Sequence, residues 1–340
     1  MTIFLLFLVY VCIAIVSNRT AKLPNETVEI GNGLDRGEKV SAPISVATWN
    51  LGYAGLGAES DFLVDGGQSL FPPSRAVVGK NIEQISGVAS TLDADVLFFQ
   101  EVAYSGPLSL WKSLAPELKA SLKKSVFWFR PDVATKLLPW PFRFRHGTVI
   151  ATDLKVLSGQ LIPIAHEPKP MFGLINRRYG MQVLNLSENE SGERWVLINI
   201  HLSAFDDGGN LRKDQITDVF QYASTRFNDG AHVIIGGDWN MELIETRFPH
   251  QTSDEDRFWI HRFPDELLPV GWKVAVDPNL PTVRTVNQAY VPGENYLTII
   301  DGFIVSPNVD VVDVETTNTA FQMSDHMPVR GTFQAAENQK

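Results

Sequence analysis

The sequence predicts an α/β fold of large mixed β-sheets with helices laid over their outer faces. Three observations carry this reading. Short apolar runs separated by turn residues recur from Ile44 to "PVRGTF" at 328–333. Few segments show helical spacing, so the strands outnumber the helices and must pair in large sheets. No repeat, low-complexity tract or linker divides residues 44 to 335, so one domain is expected.

The elements follow in order. "ISVATWNL" (44–51) reads as a buried strand, followed by a long loop holding Tyr53, Asp61 and Asp65, which either shapes a pocket or is a plain solvated insertion. Ser74 opens a helix with Val78, Ile82, Ile85, Val88 and Leu92 on one face. "DVLFFQEV" (95–102) is a second buried strand, and a helix is expected over 108–122. Further strands are expected at "SVFWF", "GTVIAT", "MQVLNL", "RWVLINIHL", "HVIIGGDWN", "LTIIDGFIV", "VDVVDVETT" and "PVRGTF". A helix over 211–227 puts Leu211, Ile216, Val219, Phe220 and Ala223 on one side.

Ahead of this domain (43–340) lie two other segments. Residues 3–16, "IFLLFLVYVCIAIV", are continuously apolar. That run is shorter than the ~20 residues a bilayer span needs, so residues 1–17 read as a signal peptide or an N-terminal membrane anchor. Residues 18–42 are polar and aperiodic, a linker. An exported, extracytoplasmic or membrane-anchored protein is expected. The sequons at Asn18, Asn25, Asn185 and Asn189 matter only where the host glycosylates.

The formal charge is −10, with a pI near 5.2, which argues against a broad duplex-DNA face without excluding a local basic groove. The single cysteine, Cys12, excludes an intrachain disulfide and a cysteine-rich metal site.

Chemistry-bearing residues collect at the ends of apolar strands. Asn50 ends "SVATWN", Glu101 "VLFFQE", His201 "VLINIH", Asp238 and Asn240 "HVIIGGDWN", and Asp301 "LTIID". One such acid is an ordinary turn residue, but five strands with the same habit suggest a shared site, because open α/β sheets bind ligands beyond their strand ends. Near the chain end, "QMSDHMP" sets Asp325 beside His326. Oxygen donors with few His suit a hard cation such as Mg²⁺, and an Asp that orients a His supplies an acid–base group.

The blocks "TWN", "FQE", "IHL", "GDWN", "IDGF" and "SDHMP" together resemble, in order, the signature blocks of the endonuclease/exonuclease/phosphatase (DNase I-like) superfamily. The resemblance covers about residues 44 to 333. It implies a four-layered α/β sandwich with two central mixed sheets, and metal-assisted hydrolysis of a phosphate ester. It further implies Glu101 as principal metal ligand with Asn50, and Asp325 approaching the metal. Mg²⁺ is the expected ion and Mn²⁺ a substitute. His326 would be the catalytic imidazole oriented by Asp301. Asp238 would activate water, positioned by Asn240, and His201 would contact a phosphoryl oxygen. Whether His326 or Asp238 takes the water's proton stays open. Trp239 replaces the usual Phe, and Gly147-Thr148 replaces the family's Gly-Asn, which puts one substrate contact in doubt. His146, Arg178 and Arg212 are candidates for touching substrate.

Residues 126–147 mix aromatics with Lys136, Arg143 and Arg145. Two buried strands with a Pro-rich turn explain them, as does a loop docking on a membrane interface. The expectation is an exported, sphingomyelinase-like phosphodiesterase acting on a phospholipid headgroup. A secreted nuclease is the alternative, and a phosphomonoesterase or a non-catalytic binding module on the same fold ranks lower.

Overall fold

The computed structural model describes residues 2–20, 26–28, 43–135, 137, 143–166, 177–186, 192–204 and 207–336. The remainder of the expected linker, the sequons at Asn25 and Asn189, and residues 136 and 138–142 of the aromatic segment lie outside them.

In chain order the strands are β1 (Glu26–Val28), β2 (Ile44–Asn50), β3 (Val96–Ser105), β4 (Val126–Ala134), β5 (Arg145–Thr152), β6 (Val156–Pro163), β7 (Gly180–Leu186), β8 (Trp195–His201), β9 (His232–Asp238), β10 (Lys273–Ala275), β11 (Val283–Arg284), β12 (Leu297–Thr298), β13 (Asp301–Val305), β14 (Val309–Thr316) and β15 (Val329–Ala335). The α-helices are α1 (Thr2–Thr20), α2 (Arg75–Ala89), α3 (Ala115–Leu122) and α4 (Asn210–Asn228).

One sheet runs β1-β6-β7-β8-β9-β13-β10 and the other β14-β15-β2-β3-β5-β4, with β11 and β12 paired apart. Period-2 alternation splits each strand between two cores. Val46, Phe98, Leu197, Ile234 and Phe303 meet between the sheets. Ala47, Trp49, Leu97 and Phe99 face outward against Val78, Ile82 and Ile85 of α2. Val196, Ile198, Val233 and Ile235 face outward against Ile216, Val219 and Phe220 of α4. The result is helix on sheet on sheet on helix, the four-layered α/β sandwich expected from the sequence.

A bridge of amides crosses the apolar middle. Gln100 Nε2 donates to Thr48 Oγ1 (3.1 Å) and Asn199 Oδ1 (2.8 Å), and Asn199 Nδ2 donates to Gln182 Oε1 (3.2 Å) and to the Val149 carbonyl (3.1 Å). Gln182 Nε2 completes it on the Trp128 carbonyl (3.0 Å).

Several expectations are corrected. The helix expected over 108–122 is only Ala115–Leu122, because Leu110 and Trp111 take positive φ and Pro116 is preorganised for a first helical turn. The strand "LTIIDGFIV" breaks into β12 and β13, and β6 was not anticipated, because "VLSGQLIP" carries Gly and Pro. Glu26–Val28, inside the expected linker, pairs antiparallel with Leu161–Gly159, since an open strand edge accepts any short extended segment through its backbone. Asn185 sits within β7 and donates its amide to Ser158 Oγ at 3.0 Å, so this sequon is folded into a sheet. Phe127, Trp128 and Phe129 pack into the cores, which favours the buried-strand reading for that part of the aromatic segment.

Helix α1 exposes most of its large side chains, including Ile3, Phe4 and Leu6. Among the described residues, no helix is long and apolar enough to cross a membrane.

Candidate active site

Topology brings the strand-end residues together. The pairs β2/β3 and β8/β9 are parallel, so Asn50, His201 and Asp238 emerge at carboxyl ends. Strand β13 runs antiparallel to β9 with Asp301 opposite Asp238. Asp301 is therefore the first residue of its strand rather than, as expected from sequence, the last. Strand β15 is likewise antiparallel to β2, which delivers the preceding Asp325 and His326 to the same edge.

Glu101 does not end its strand either. Strand β3 continues to Ser105 past a bulge between Phe99 and Val102, and Glu101 sits in it with φ 54°. A bulge re-aims one side chain without ending the strand. Tyr53 and Asn240 also hold positive φ, so three left-handed non-glycine residues line one cavity, strain of the kind that functional sites store. Gly237 (φ 147°) precedes Asp238, and a Cβ there would lie 2.1 Å from the Ile200 carbonyl oxygen, so close packing of β8 and β9 demands glycine.

The cavity encloses about 230 Å³ and is shared by Asn50, Glu101, His201, Asp238, Asp325 and His326. His326 Nδ1 is 2.8 Å from Asp301 Oδ2, and its Nε2 is 3.9 Å from Asp238 Oδ2. Trp49 Nε1 donates to the His326 carbonyl (2.9 Å) and Ser324 Oγ to the Asn50 carbonyl (2.8 Å), which fixes the turn that carries the imidazole. Asp238 accepts from Asn50 Nδ2 (2.8 Å) and from the Asn240 backbone N–H (2.9 Å). Asn240 Nδ2 donates to the Leu202 carbonyl (2.9 Å).

Arg177, rather than the neighbouring Arg178 favoured from sequence, is a cation of this cavity. Its Nε donates to Asp132 Oδ2 (3.0 Å), and its Nη2 meets His201 Nδ1 at 2.9 Å and Glu101 Oε1 at 3.8 Å. A guanidinium only donates, so His201 Nδ1 is the acceptor and its proton sits on Nε2. That buried Nε2 has no hydrogen-bond partner among the described residues and lies 3.6 Å from Asp238 Oδ2 and 3.9 Å from Glu101 Oε1.

The remaining substrate candidates lie elsewhere. Arg178 is absent from the cavity lining and turns its Nε to the Asp132 carbonyl at 3.4 Å. Arg212, fully buried, donates its Nη1 to the carbonyls of Asn240 and Trp259 and does not line the cavity. His146 stands behind Tyr53, ring centroids 4.8 Å apart, with Nδ1 3.1 Å from Asp132 Oδ1. In the long loop, Tyr53 and Asp65 line the cavity, whereas Asp61 accepts the Gln68 N–H at 2.6 Å and shapes its own turn.

Burial dominates the electrostatics of the site and disfavours charge on its carboxyls. Burial raises Glu101 to about 8, against the lowering influence of Arg177, and raises Asp65 to about 7, helped by Asp325. Burial and the Asp301 charge raise Asp238 to about 6, and burial also raises Asp325. Burial opposes charge on His326, yet Asp301, Asp325 and Asp238 outweigh it and hold the imidazole well above its ordinary range. Burial and the Arg177 charge hold His201 well below that range.

Carboxylates this uncomfortable suit a hard cation, which needs several oxygen ligands. Glu101 and Asp325 fit such an ion. Asn50 fits less fully, because its Oδ1 already accepts the Gly52 N–H (3.0 Å) while its Nδ2 serves Asp238. Asp238, Asp301 and His326 also bring three ligand atoms within 4.8 Å of one another. The surrounding carboxylates favour the protonated form of His326, which has no lone pair for a metal, so we read that trio as an acid–imidazole–acid chain rather than a metal cage.

No protein-family model matches the chain, and no curated protein matches it. Solved structures do. An endonuclease/exonuclease/phosphatase from Beutenbergia cavernae aligns at TM-score 0.58 and 16% identity over 86% of this chain and 72% of that one. One from Bacteroides vulgatus aligns at TM-score 0.56 and 14% identity, over 87% of this chain and all (100%) of that one. Zebrafish (D. rerio) TDP2, solved with a single-strand DNA product, aligns at TM-score 0.51 and 15% identity over 87% of this chain and 100% of its own. The fold is the one these proteins share.

Proposed function

We propose that this chain, built on the fold of the endonuclease/exonuclease/phosphatase proteins, hydrolyses a phosphodiester with the help of a divalent cation, Mg²⁺ in the first instance. The observation that carries the reading is convergence. Carboxylates and imidazoles from both sheets meet in one cavity, with the Asp301–His326 pair at 2.8 Å.

Glu101 and Asp325, with Asn50 beside them, would hold the ion. When bound, it would polarise a phosphoryl oxygen and neutralise charge on the leaving oxygen. His201, its tautomer set by Arg177, would offer its Nε2–H as a neutral donor to a phosphoryl oxygen. His326, kept cationic by Asp301, stabilises charge that develops on the phosphoryl group. Asp238, raised to about 6, is ionised near neutrality and accepts the proton of the attacking water. Asn50 and Asn240 fix the two oxygens of that carboxylate. This assigns the base to Asp238 rather than His326, because an imidazolium has no lone pair to offer.

Two substrate classes stay in play. The apolar N-terminal segment, read as an export signal or anchor, supports a lipid phosphodiester at a membrane surface. The single-strand DNA product bound by zebrafish TDP2 supports a nucleic-acid substrate, and none of these similarities supports a lipid one. The test is a side-by-side screen of the purified chain on sphingomyelin, glycerophospholipids, inositol phosphates and single- and double-stranded DNA, with Mg²⁺ and with EDTA. EDTA-sensitive turnover of one class is expected. Turnover unaffected by EDTA would overturn the metal assignment, and no turnover of any class would overturn the reading.

A further inference from the structure

A second chamber of about 180 Å³ opens beside the acidic cavity. Ala103, Pro107, Leu108 and Phe144 line it, with Tyr53 and His146. Tyr53 and Leu108 also line the acidic cavity, so the two spaces share a wall. The polar groups around the chamber are largely committed. Ser105 Oγ donates to the Arg143 carbonyl (3.4 Å) and Ser109 Oγ to the Gly106 carbonyl (3.2 Å). His146 Nδ1 meets Asp132 (3.1 Å).

The chamber is not loose packing. Backbone bonds Leu110 N–H to Pro107, Trp111 N–H to Gly106 and Leu114 N–H to Ala103 (2.8 to 2.9 Å) hold its loop. A Cβ on Gly55 would sit 1.8 Å from the Leu108 carbonyl oxygen, so the loop after Asn50 is pressed against the same wall.

We infer that this chamber is a subsite for an aromatic ring carried by one ester substituent of the substrate. The inference rests on the phosphodiester reading of the neighbouring cavity. The volume matches, since an apolar cavity of about 150 Å³ takes up benzene. The walls match as well. Three rings, Tyr53, Phe144 and His146, offer faces and edges for offset or edge-on contact. With its serines committed to the backbone, the chamber has little to hold a sugar or a charged headgroup. A nucleobase and an aryl ester are the two sources of such a ring.

Calorimetry on the full chain with Mg²⁺ tests this, using phenyl phosphate against methyl phosphate, and thymidine 5′-phosphate against deoxyribose 5-phosphate. Phenyl phosphate is expected to bind about tenfold tighter than methyl phosphate. That ratio should collapse toward one in Ala103→Phe, which fills the chamber, and shrink in Phe144→Ala, which removes a ring from its lining without adding bulk. A matching preference within the nucleotide pair identifies the base as the ring. No preference in that pair, with the phenyl preference kept, identifies the aryl ester. Equal affinities within both pairs, in a chain that still hydrolyses phosphodiesters, overturn the subsite and leave the activity standing. Butyl phosphate binding as tightly as phenyl phosphate overturns the ring specificity. If methyl phosphate fails to bind and no phosphodiester is hydrolysed, the phosphodiester reading fails and the subsite with it.

Discussion

Asp301 Oδ2 lies 2.8 Å from His326 Nδ1, although 25 residues separate the two in sequence. Removing the negative charge leaves the imidazole without the group that favours its cationic form. Asp301→Asn is expected to lower kcat about 10²- to 10⁴-fold with little change in KM. Steady-state kinetics on whichever phosphodiester is turned over checks this, and an unchanged kcat would show the pair to be structural.

Arg177 holds Asp132, His201 and Glu101 at once. Lysine keeps the charge but not the planar fork, so Arg177→Lys should behave like Arg177→Met and not like the native chain. Both should lose about 10- to 100-fold in kcat/KM. Nitrogen-15 spectra of His201 should change from one tautomer to a mixture. A lysine variant with native kinetics and a single tautomer would rule out the proposed positioning role.

The cation can be followed without turnover. Glu101 is raised from 4.5 to about 8, so its contribution to stability is complete below pH 4.5 and is lost as pH rises through 8. The metal-free chain should therefore melt at lower temperature as pH climbs from 5 to 9. Glu101→Gln should flatten that slope. Mg²⁺ should raise the melting temperature more at pH 8.5 than at pH 5, and Mn²⁺ should substitute. A Mg²⁺ shift of equal size in the Glu101→Gln chain would place the ion elsewhere.

Asp132 gives the opposite sign. Burial disfavours its charge, but Arg177 and His146 outweigh burial and depress its pKa below 3.8. Its stabilising contribution is present above pH 3.8 and is lost as pH falls further. Asp132→Asn should destabilise the chain by roughly 3 kcal/mol at neutral pH and weaken the acid limb of the melting profile. Thermal melts from pH 7 down to pH 2.5 read both effects.

Much of this was legible in the sequence because strands and their end residues are local signals. Asn50, Glu101, His201, Asp238 and His326 are all found around one cavity. Strand direction is not local, which is why Asp301 read as the end of one strand when it begins another. The bulge at Glu101 is set by pairing with β5, so the periodicity of β3 alone does not reveal it. Arg177 and Arg178 are adjacent in "NRRYG", and nothing short of the chain's path decides which one faces the cavity. Tyr53 stood out only as part of a loop able to shape the pocket, and Asp132 carries no local signal; the fold sets them beside Arg177 and Glu101.

The amide bridge from Thr48 through Gln100, Asn199 and Gln182 has a mechanical consequence. Greasy faces pressed together resist separation but tolerate sliding, because dispersion and solvent exclusion have no preferred direction. Hydrogen bonds do, and three of them, Gln100 to Asn199, Asn199 to the Val149 carbonyl and Gln182 to the Trp128 carbonyl, act as dowels between two plates. Each plate carries half of the machinery, Glu101 and His326 on one side and His201, Asp238 and Asp301 on the other. A slip of one ångström would spoil the alignment while leaving every hydrophobic contact nearly intact. Gln100→Leu should therefore yield a chain that folds well and works badly.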